Sequence, residues 1–311
     1  MNMGIHPKTP LFASLCLCAF ALCFFLSLLP VFAQADPPPP SHILVISLDG
    51  ARPDALRLAE TPNIQALAER GAVDWEARTI LPSVTLPAHA SMLTGLSVEQ
   101  HGVDYNSTLL GCPALESPTF LTLAEEAGYP TALVTGKEKF CLYQQTEMLD
   151  YTFARKGDRS VADRVLELLE QGMPVIFAHF PNPDYFGHST GWMSDTYINE
   201  LNSTDFQVGR VLAKLDELGL SDDTLVILTA DHGGHDFEHG SDRSEDILIL
   251  WIIAGPGVVP GTLLDDVSVM DTAPTVLWML GLPLPDDLSG RPVYAAFGFP
   301  APEAIAETIE P

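Results

Sequence analysis

The sequence predicts an α/β fold, a mostly parallel central sheet with helices on both faces, and two observations carry that expectation. Short β-rich apolar runs alternate with stretches of helical periodicity through most of the 311 residues, the mark of a sheet that must be covered on two sides. Acidic residues also stand at or just beyond the C-terminal ends of three of those runs, the edge at which open α/β sheets take their ligands.

The first strand is read at His42–Leu48, an almost uninterrupted apolar run. Thr61-Pro62 then opens a helix, with Thr61 as N-cap and Pro62 in the first turn, and Gly71 closes it after Arg70. A second helix starts at Ser117-Pro118 and ends near Gly128, ahead of a strand at Thr131–Thr135. A third covers 160–171 and stops at Gly172, and a strand over 174–180 follows. The long helix over 195–218 lays Ile198, Leu201, Val208, Val211, Leu212 and Leu215 along one apolar face before Gly219. Strands over 224–229 and 247–253 complete the set, and Asp271 caps a last helix that ends at Gly281.

These elements make one domain over 42–299, without internal repeats. Ahead of it, 1–35 reads as a signal peptide: Lys8 precedes an apolar run over 11–32, and Ala33-Gln34-Ala35 forms a small-residue cleavage site. The run is also long enough for an uncleaved anchor, which stays open as the alternative. A Pro-rich spacer over 36–41 follows, and 300–311 is an acidic tail. Export to the periplasm or outside the cell is therefore expected. Cys16, Cys18 and Cys23 are apolar fillers of the leader, which leaves Cys112 and Cys141 to form a disulfide in an oxidising compartment.

Forty-one acids against 15 bases give a net charge of −26. That surface repels nucleic-acid polymers and anionic membranes. A phosphorylated substrate, if there is one, would have to be small and held locally by metal, with membrane contact only through an uncleaved N-terminal segment.

Five stretches carry the chemistry: Ser47-Leu48-Asp49-Gly50, Pro82-Ser83-Val84-Thr85-Leu86-Pro87, Pro183-Asp184-Tyr185-Phe186-Gly187-His188, Ala230-Asp231-His232-Gly233 and His239-Gly240. Three carboxylates, two or three imidazoles and a hydroxyl form a donor set suited to zinc or manganese. Any one acid alone would read as a turn residue. Asp184 and His188 stand four residues apart, so one loop or helical turn presents both to one ion. Thr85 is read as an N-cap before Pro87, in the positive field of a helix start, and from local sequence it serves either as a cap or as a nucleophile. His235 and His239 both lie close enough to Asp231-His232 to supply a further ligand.

Asp49, Asp184 and Asp231 sum to −3, and each like-charge pair at about 4 Å costs roughly 4 kcal/mol at an effective dielectric near 20. Two divalent ions would turn that into +1, which matches a singly charged diester. On this reckoning diesters are preferred to monoesters, because no Arg clamp for a second phosphate charge is evident.

In this order the five stretches resemble the nucleotide pyrophosphatase/phosphodiesterase branch of the alkaline phosphatase superfamily, over residues 43 to about 294. The resemblance implies an alkaline-phosphatase-like fold and a metal-dependent hydrolase of small phosphodiesters or nucleotide pyrophosphates, working through a phospho-threonine intermediate. It implies two divalent ions, zinc or manganese. One is held by Asp49, Asp231, His232 and the Thr85 oxygen, the other by Asp184, His188 and His239. His239 is chosen over His235 because the family's last His ligand directly precedes Gly, as His239 precedes Gly240. Thr85 takes the nucleophile's place, and Asn106 that of an Asn donating to a phosphoryl oxygen. Arg52 also recurs in such proteins, although a structural ion pair explains it equally well.

The span from His232 to His239 is much shorter than in larger members of the branch, and Trp192 follows Gly191 where Pro is frequent. Phosphonoacetate hydrolases and phosphomonoesterases of the superfamily are the enzymatic alternatives. Sulfatases are disfavoured, because the stretch around Thr85 lacks their Cys-x-Pro-x-Arg. An inactive exported binding protein is the alternative from another class.

Overall fold

The first strand, β1 (His42–Leu48), has six of its seven residues buried, as a strand covered on both faces requires. In this computed structural model, residues 37, 39–107, 111–147 and 149–300 are described, together with Met1 and Gly4. The leader with its cleavage site and the tail over 301–311 lie outside the described residues. Among the described residues no helix is long and apolar enough to cross a membrane.

Among the described residues, seven further strands join β1: β2 (Ala72–Arg78), β3 (Thr131–Thr135), β4 (Asp150–Phe153), β5 (Val175–Phe180), β6 (Thr224–Ala230), β7 (Leu248–Ala254) and β8 (Thr262–Leu263). Their order is β4-β3-β5-β1-β6-β7-β2-β8. Every pairing is parallel except the two made by β7. The five strands read from sequence form the core of this sheet. β2, β4 and β8 are additions: β4 and β8 are the edges, β2 pairs with β8 only at Ala72 and Val73, and Asp74 and Glu76 interrupt the apolar run of β2.

Among the described residues, ten α-helices accompany the strands: α1 (Pro53–Leu58), α2 (Pro62–Glu69), α3 (Thr85–Thr94), α4 (Val98–His101), α5 (Phe120–Glu126), α6 (Asp158–Glu170), α7 (Asn182–Thr190), α8 (Asp195–Glu217), α9 (Ser244–Ile247) and α10 (Thr272–Met279). The long α8 packs against α1, α2, α6 and α7, whereas α3 packs against α4, α5 and α10, so the helices form two layers, one on each face of the sheet. Leu201, Val208, Val211 and Leu215 of α8 are buried as its apolar stripe required.

Several expected caps differ. The Thr61 hydroxyl donates to the Leu56 carbonyl, and the start of α2 is capped instead by the Asp205 carboxylate, which accepts from the Asn63 and Ile64 amides. Thr119, two residues beyond Ser117, caps α5 by accepting from the Thr122 amide. The Asp271 carboxylate accepts from Ser268 and Arg291 amides rather than from α10. A disulfide joins Cys112 to Cys141 across 29 residues.

Candidate active site

The site is assembled at the carboxyl edge of the three central strands. Leu48 of β1 is in register with Phe180 of β5 and with Ala230 of β6, so Asp49 and Asp231 leave the sheet side by side. The Asp49 amide donates to the Phe180 carbonyl at 3.0 Å. Gly50 turns the chain with φ +68, and a Cβ there would lie 2.9 Å from the Asp184 Cα. Only glycine therefore lets this turn pass beneath α7, which carries Asp184 in its first turn and His188 one turn later. Of the two arrangements the spacing allows, a loop or a helical turn, the structure has the helix. Gly187 has another reason: a Cβ on it would meet the Trp192 indole at 2.3 Å, and so would one on Gly234.

Asp49, Asp231 and His232 are completely buried, and Asp184 is nearly so. The Asp231 Oδ1 accepts from the amides of Gly50 and His232, each at 3.0 Å. Its other oxygen, together with Asp49 Oδ1 and Asp184 Oδ1, is buried with no hydrogen-bond partner.

Three imidazoles face these oxygens in the same manner. His188 Nδ1 donates to the Phe237 carbonyl at 2.9 Å, His232 Nδ1 to the Gly233 carbonyl at 2.8 Å, and His239 Nδ1 to the Ser83 carbonyl at 2.9 Å. A carbonyl can only accept, so each Nδ1 carries a proton, and in the neutral ring each Nε2 presents a lone pair. The Nε2 atoms of His188 and His239 lie 3.4 and 3.5 Å from Asp184 Oδ1 and 3.2 Å from each other. That of His232 lies 3.4 Å from Asp49 Oδ1 and 3.3 Å from Asp231 Oδ2. His235 does not join them; its Nδ1 meets the buried Asp246 carboxylate at 2.7 Å.

Thr85 is the first residue of α3, with Val84 in the N-cap position, and it is buried rather than exposed. Its hydroxyl faces the site, 3.4 Å from His232 Nε2 and 3.3 Å from Lys137 Nζ. Asn106 lies beside it: its Oδ1 accepts from the Leu86 amide at 3.1 Å and from Lys139 Nζ at 2.7 Å. Arg52 stands outside this group, pairing with Asp54 at 2.6 Å and donating to the Gly234 carbonyl at 2.8 Å.

Four participants escaped the sequence reading. Lys137 bridges Asp49 at 2.5 Å and Asp184 at 2.6 Å, so the count that gave three acids and no base was incomplete. Lys139 is the second cation. Both follow the C-terminal end of β3 at Thr135, and the strand-end rule that selected the acids would have found them had it been applied to this strand. His179, buried in β5, accepts from the Gly136 amide at Nδ1 and donates from Nε2 to Asp49 Oδ2 at 2.7 Å. Trp192 fills the space between Gly187 and Gly234 and donates to the Gly50 carbonyl at 3.0 Å, tying three site segments together.

The protonation pattern follows from burial and from Lys137. Burial raises the Asp49 carboxyl, but Lys137 and the His179 hydrogen bond outweigh it and hold the group well below the usual range. Asp231 is pushed well above that range by burial and by the Asp49 charge. Burial drives His232 down and, with the neighbouring His232, takes His239 to about 3, so both imidazoles stay neutral, with Nε2 unprotonated. Burial and Lys137 together lower Lys139 to about 8.

Orphaned carboxylate oxygens beside fixed Nε2 lone pairs fit divalent cations, whose charge would replace the partners these atoms lack. Two donor groups are close enough for one ion each: Asp49 with Asp231 and His232, and Asp184 with His239 and His232. The Asp184 group also has His188 Nε2 within reach.

The family model for type I phosphodiesterase/nucleotide pyrophosphatase matches residues 43–111 and 121–250. Ectonucleotide pyrophosphatase/phosphodiesterase family member 7 of Mus musculus is 25% identical over 241 residues, covering 69% of this chain and 55% of that protein. The bis(5'-adenosyl)-triphosphatase enpp4 of Mus musculus is 26% identical over 213 residues, 62% of this chain and 47% of its own length. Steryl-sulfatase of Rattus norvegicus is 36% identical over 141 residues, 38% of this chain and 24% of its own. The chain thus spans about half the length of the phosphodiesterase relatives it matches. Among solved structures, murine ectonucleotide pyrophosphatase/phosphodiesterase 5, in an inactive form in complex with AMP, superposes with a TM-score of 0.70 at 14% identity, covering 82% of this chain and 98% of that one. A 2-O GAG sulfatase gives 0.71 at 19% identity, covering 84% and 75%. These likenesses establish an alkaline-phosphatase-like fold.

Proposed function

The chain belongs to the type I phosphodiesterase/nucleotide pyrophosphatase family, and from that membership we propose that it is an exported, metal-dependent hydrolase of small phosphodiesters or nucleotide pyrophosphates. One observation carries the proposal: three unpartnered buried carboxylate oxygens and three Nε2 lone pairs converge beside the Thr85 hydroxyl.

Asp49, Asp231, His232 and the Thr85 oxygen would hold one divalent ion, and Asp184, His188 and His239 the other. The three imidazoles favour zinc, with manganese as the alternative. Bound there, the ions would lower the pKa of the Thr85 hydroxyl and offset charge on the departing oxygen.

The chain's own groups account for the rest. Thr85 Oγ1 attacks phosphorus, a new O–P bond forms, and the bond to the leaving oxygen breaks with its electron pair, that oxygen taking up the proton Thr85 gives up. Water then attacks the phospho-threonine, the Thr85 O–P bond breaks, and the hydroxyl regains its proton. Asn106 is oriented for its part, since two donors hold Oδ1 and leave the Nδ2 amide to donate to a nonbridging oxygen.

The net charge of −26 disfavours a nucleic-acid polymer, and a family relative seen with AMP supports a nucleotide-sized ligand. The test is metal content with turnover of bis(4-nitrophenyl) phosphate. About two ions per chain and activity that chelation removes and zinc restores are expected. Full activity in metal-free protein would defeat the reading.

A further inference from the structure

Resting on the reading of Thr85 as the nucleophile, we propose that Tyr185 and Phe237 form an aromatic platform for the leaving group, which makes diesters with a neutral aryl leaving group, rather than nucleotide pyrophosphates, the substrate class of this site. Among the described residues three aromatic side chains are exposed: Tyr185 at 66%, Phe237 at 55%, and Phe206. The first two stand on either side of His188.

Tyr185 precedes His188 by three residues on α7 and Gly191 follows it by three, so the three positions run along one ridge of the helix. Phe237 covers the Gly191 position: a Cβ there would stand 3.5 Å from its ring and 3.2 Å from the Asp236 carbonyl oxygen. Backbone contacts hold the ring in place. His235 and Glu238 exchange two amide-to-carbonyl hydrogen bonds of 2.8 Å, the Asp236 carbonyl accepts from the Trp192 amide at 2.8 Å, and the Phe237 carbonyl accepts from His188 Nδ1. A ring fixed at the tip of such a turn and still largely exposed gains little from packing, and a planar ligand group would supply what it lacks.

Depth decides which part of the substrate meets these rings. Thr85 is 1% exposed, whereas the His188 side chain is 47% exposed. Attack in line puts the leaving group opposite Thr85 Oγ1, so it points outward, past His188 and towards Tyr185 and Phe237.

Charge decides what that group is. Asp236 and Glu238, both exposed, flank Phe237, and among the described residues neither makes an ion pair. Of the two lysines at the site, Lys137 is taken up by Asp49 and Asp184, and Lys139 donates to Asn106. A departing phosphate or polyphosphate would be repelled by this rim. A neutral aryl group would not.

The experiment compares wild type with Tyr185→Ala, Tyr185→Phe and Phe237→Ala, all zinc-loaded, on bis(4-nitrophenyl) phosphate and on methyl 4-nitrophenyl phosphate, which shares its leaving group but retains only a methyl. Each alanine variant should lower kcat/KM roughly 3- to 10-fold and equally for the two esters, while Tyr185→Phe stays within about 2-fold. Metal content should hold at the wild-type value, because Phe237 meets His188 through its carbonyl. Calorimetry in a Thr85→Ala background reads binding without turnover: the alanine changes should weaken methyl 4-nitrophenyl phosphate by a similar factor and dimethyl phosphate by less than about 2-fold. For ATP, the paired change Asp236→Asn and Glu238→Gln should raise kcat/KM roughly 3-fold or more while the methyl ester stays within about 2-fold. No loss in either alanine variant, equal loss for dimethyl phosphate, no gain with ATP, or a loss confined to the bis ester, which would assign the rings to the retained group, would overturn the proposal. Wild type that hydrolyses none of these esters would instead defeat the hydrolase reading, while the calorimetric difference still decides the role of Tyr185 and Phe237.

Discussion

At the scale of single residues, Thr85 and His239 make the sharpest tests. The Thr85 hydroxyl is buried among His232 and Lys137 rather than spent on capping α3. Thr85→Ala should abolish turnover while metal content and far-UV spectrum stay near wild type, and Thr85→Ser should keep measurable activity because the hydroxyl survives. Undiminished turnover in the alanine variant removes Thr85 from the mechanism. His239 and His235 separate as cleanly. The first directs Nε2 towards Asp184 and the second is engaged by Asp246. His239→Ala should bring metal content towards one ion per chain and remove most activity, with a milder effect from His235→Ala. The opposite ranking, by elemental analysis, would transfer the ligand role to His235.

At the scale of elements, α7 has to be held where Asp184 and His188 can work, and Asp158 helps to hold it. Its carboxylate accepts from the Asn182 amide at the start of α7 and from the Thr204 hydroxyl of α8. Burial pushes this carboxyl up to about 7. A raised carboxyl keeps its proton in the fold when the unfolded chain has lost it. The stability it contributes is complete below about pH 4 and is lost as pH rises through 7. Asp158→Asn should therefore gain on wild type by up to roughly 4 kcal/mol between pH 4 and 7.5. Urea titrations at several pH values measure the difference; a gap that stays constant with pH would show that Asp158 does not titrate in this window. The same contacts explain why Asp158 lies beyond sequence reading, since its partners are 24 and 46 positions away.

At the scale of the whole molecule, the disulfide joins Cys112, in the segment that follows Asn106, to the turn carrying Lys137 and Lys139. Closing a loop of 29 residues contributes about 3 to 4 kcal/mol by restricting the unfolded chain. Reduction, or Cys112→Ser, should lower Tm by roughly 10 °C. Thermal melts with and without reductant check this, and two free thiols per chain in exported material under denaturing conditions would exclude the bridge in the native protein.

What the sequence by itself determined is local. The five central strands are apolar runs because both their faces are covered, and α8 repeats its apolar positions because one stripe packs. Such burial writes itself into neighbouring letters. Acids at the ends of β1 and β6 were legible for the same reason, as one rule of parallel sheets places those ends on one edge. Only the tertiary structure decided which distant groups meet. The register of β1 between β5 and β6 sets Asp49 beside Asp231, and the last turn beyond β3 brings Lys137 across 47 positions to Asp184. His239 rather than His235 faces Asp184 because Ser83 and Asp246 each hold one imidazole in place. Pairings of that kind depend on register and on the path of loops, which no periodicity of the chain encodes. The charge of the site, three acids with Lys137 bridging two of them, was therefore settled in space rather than along the sequence.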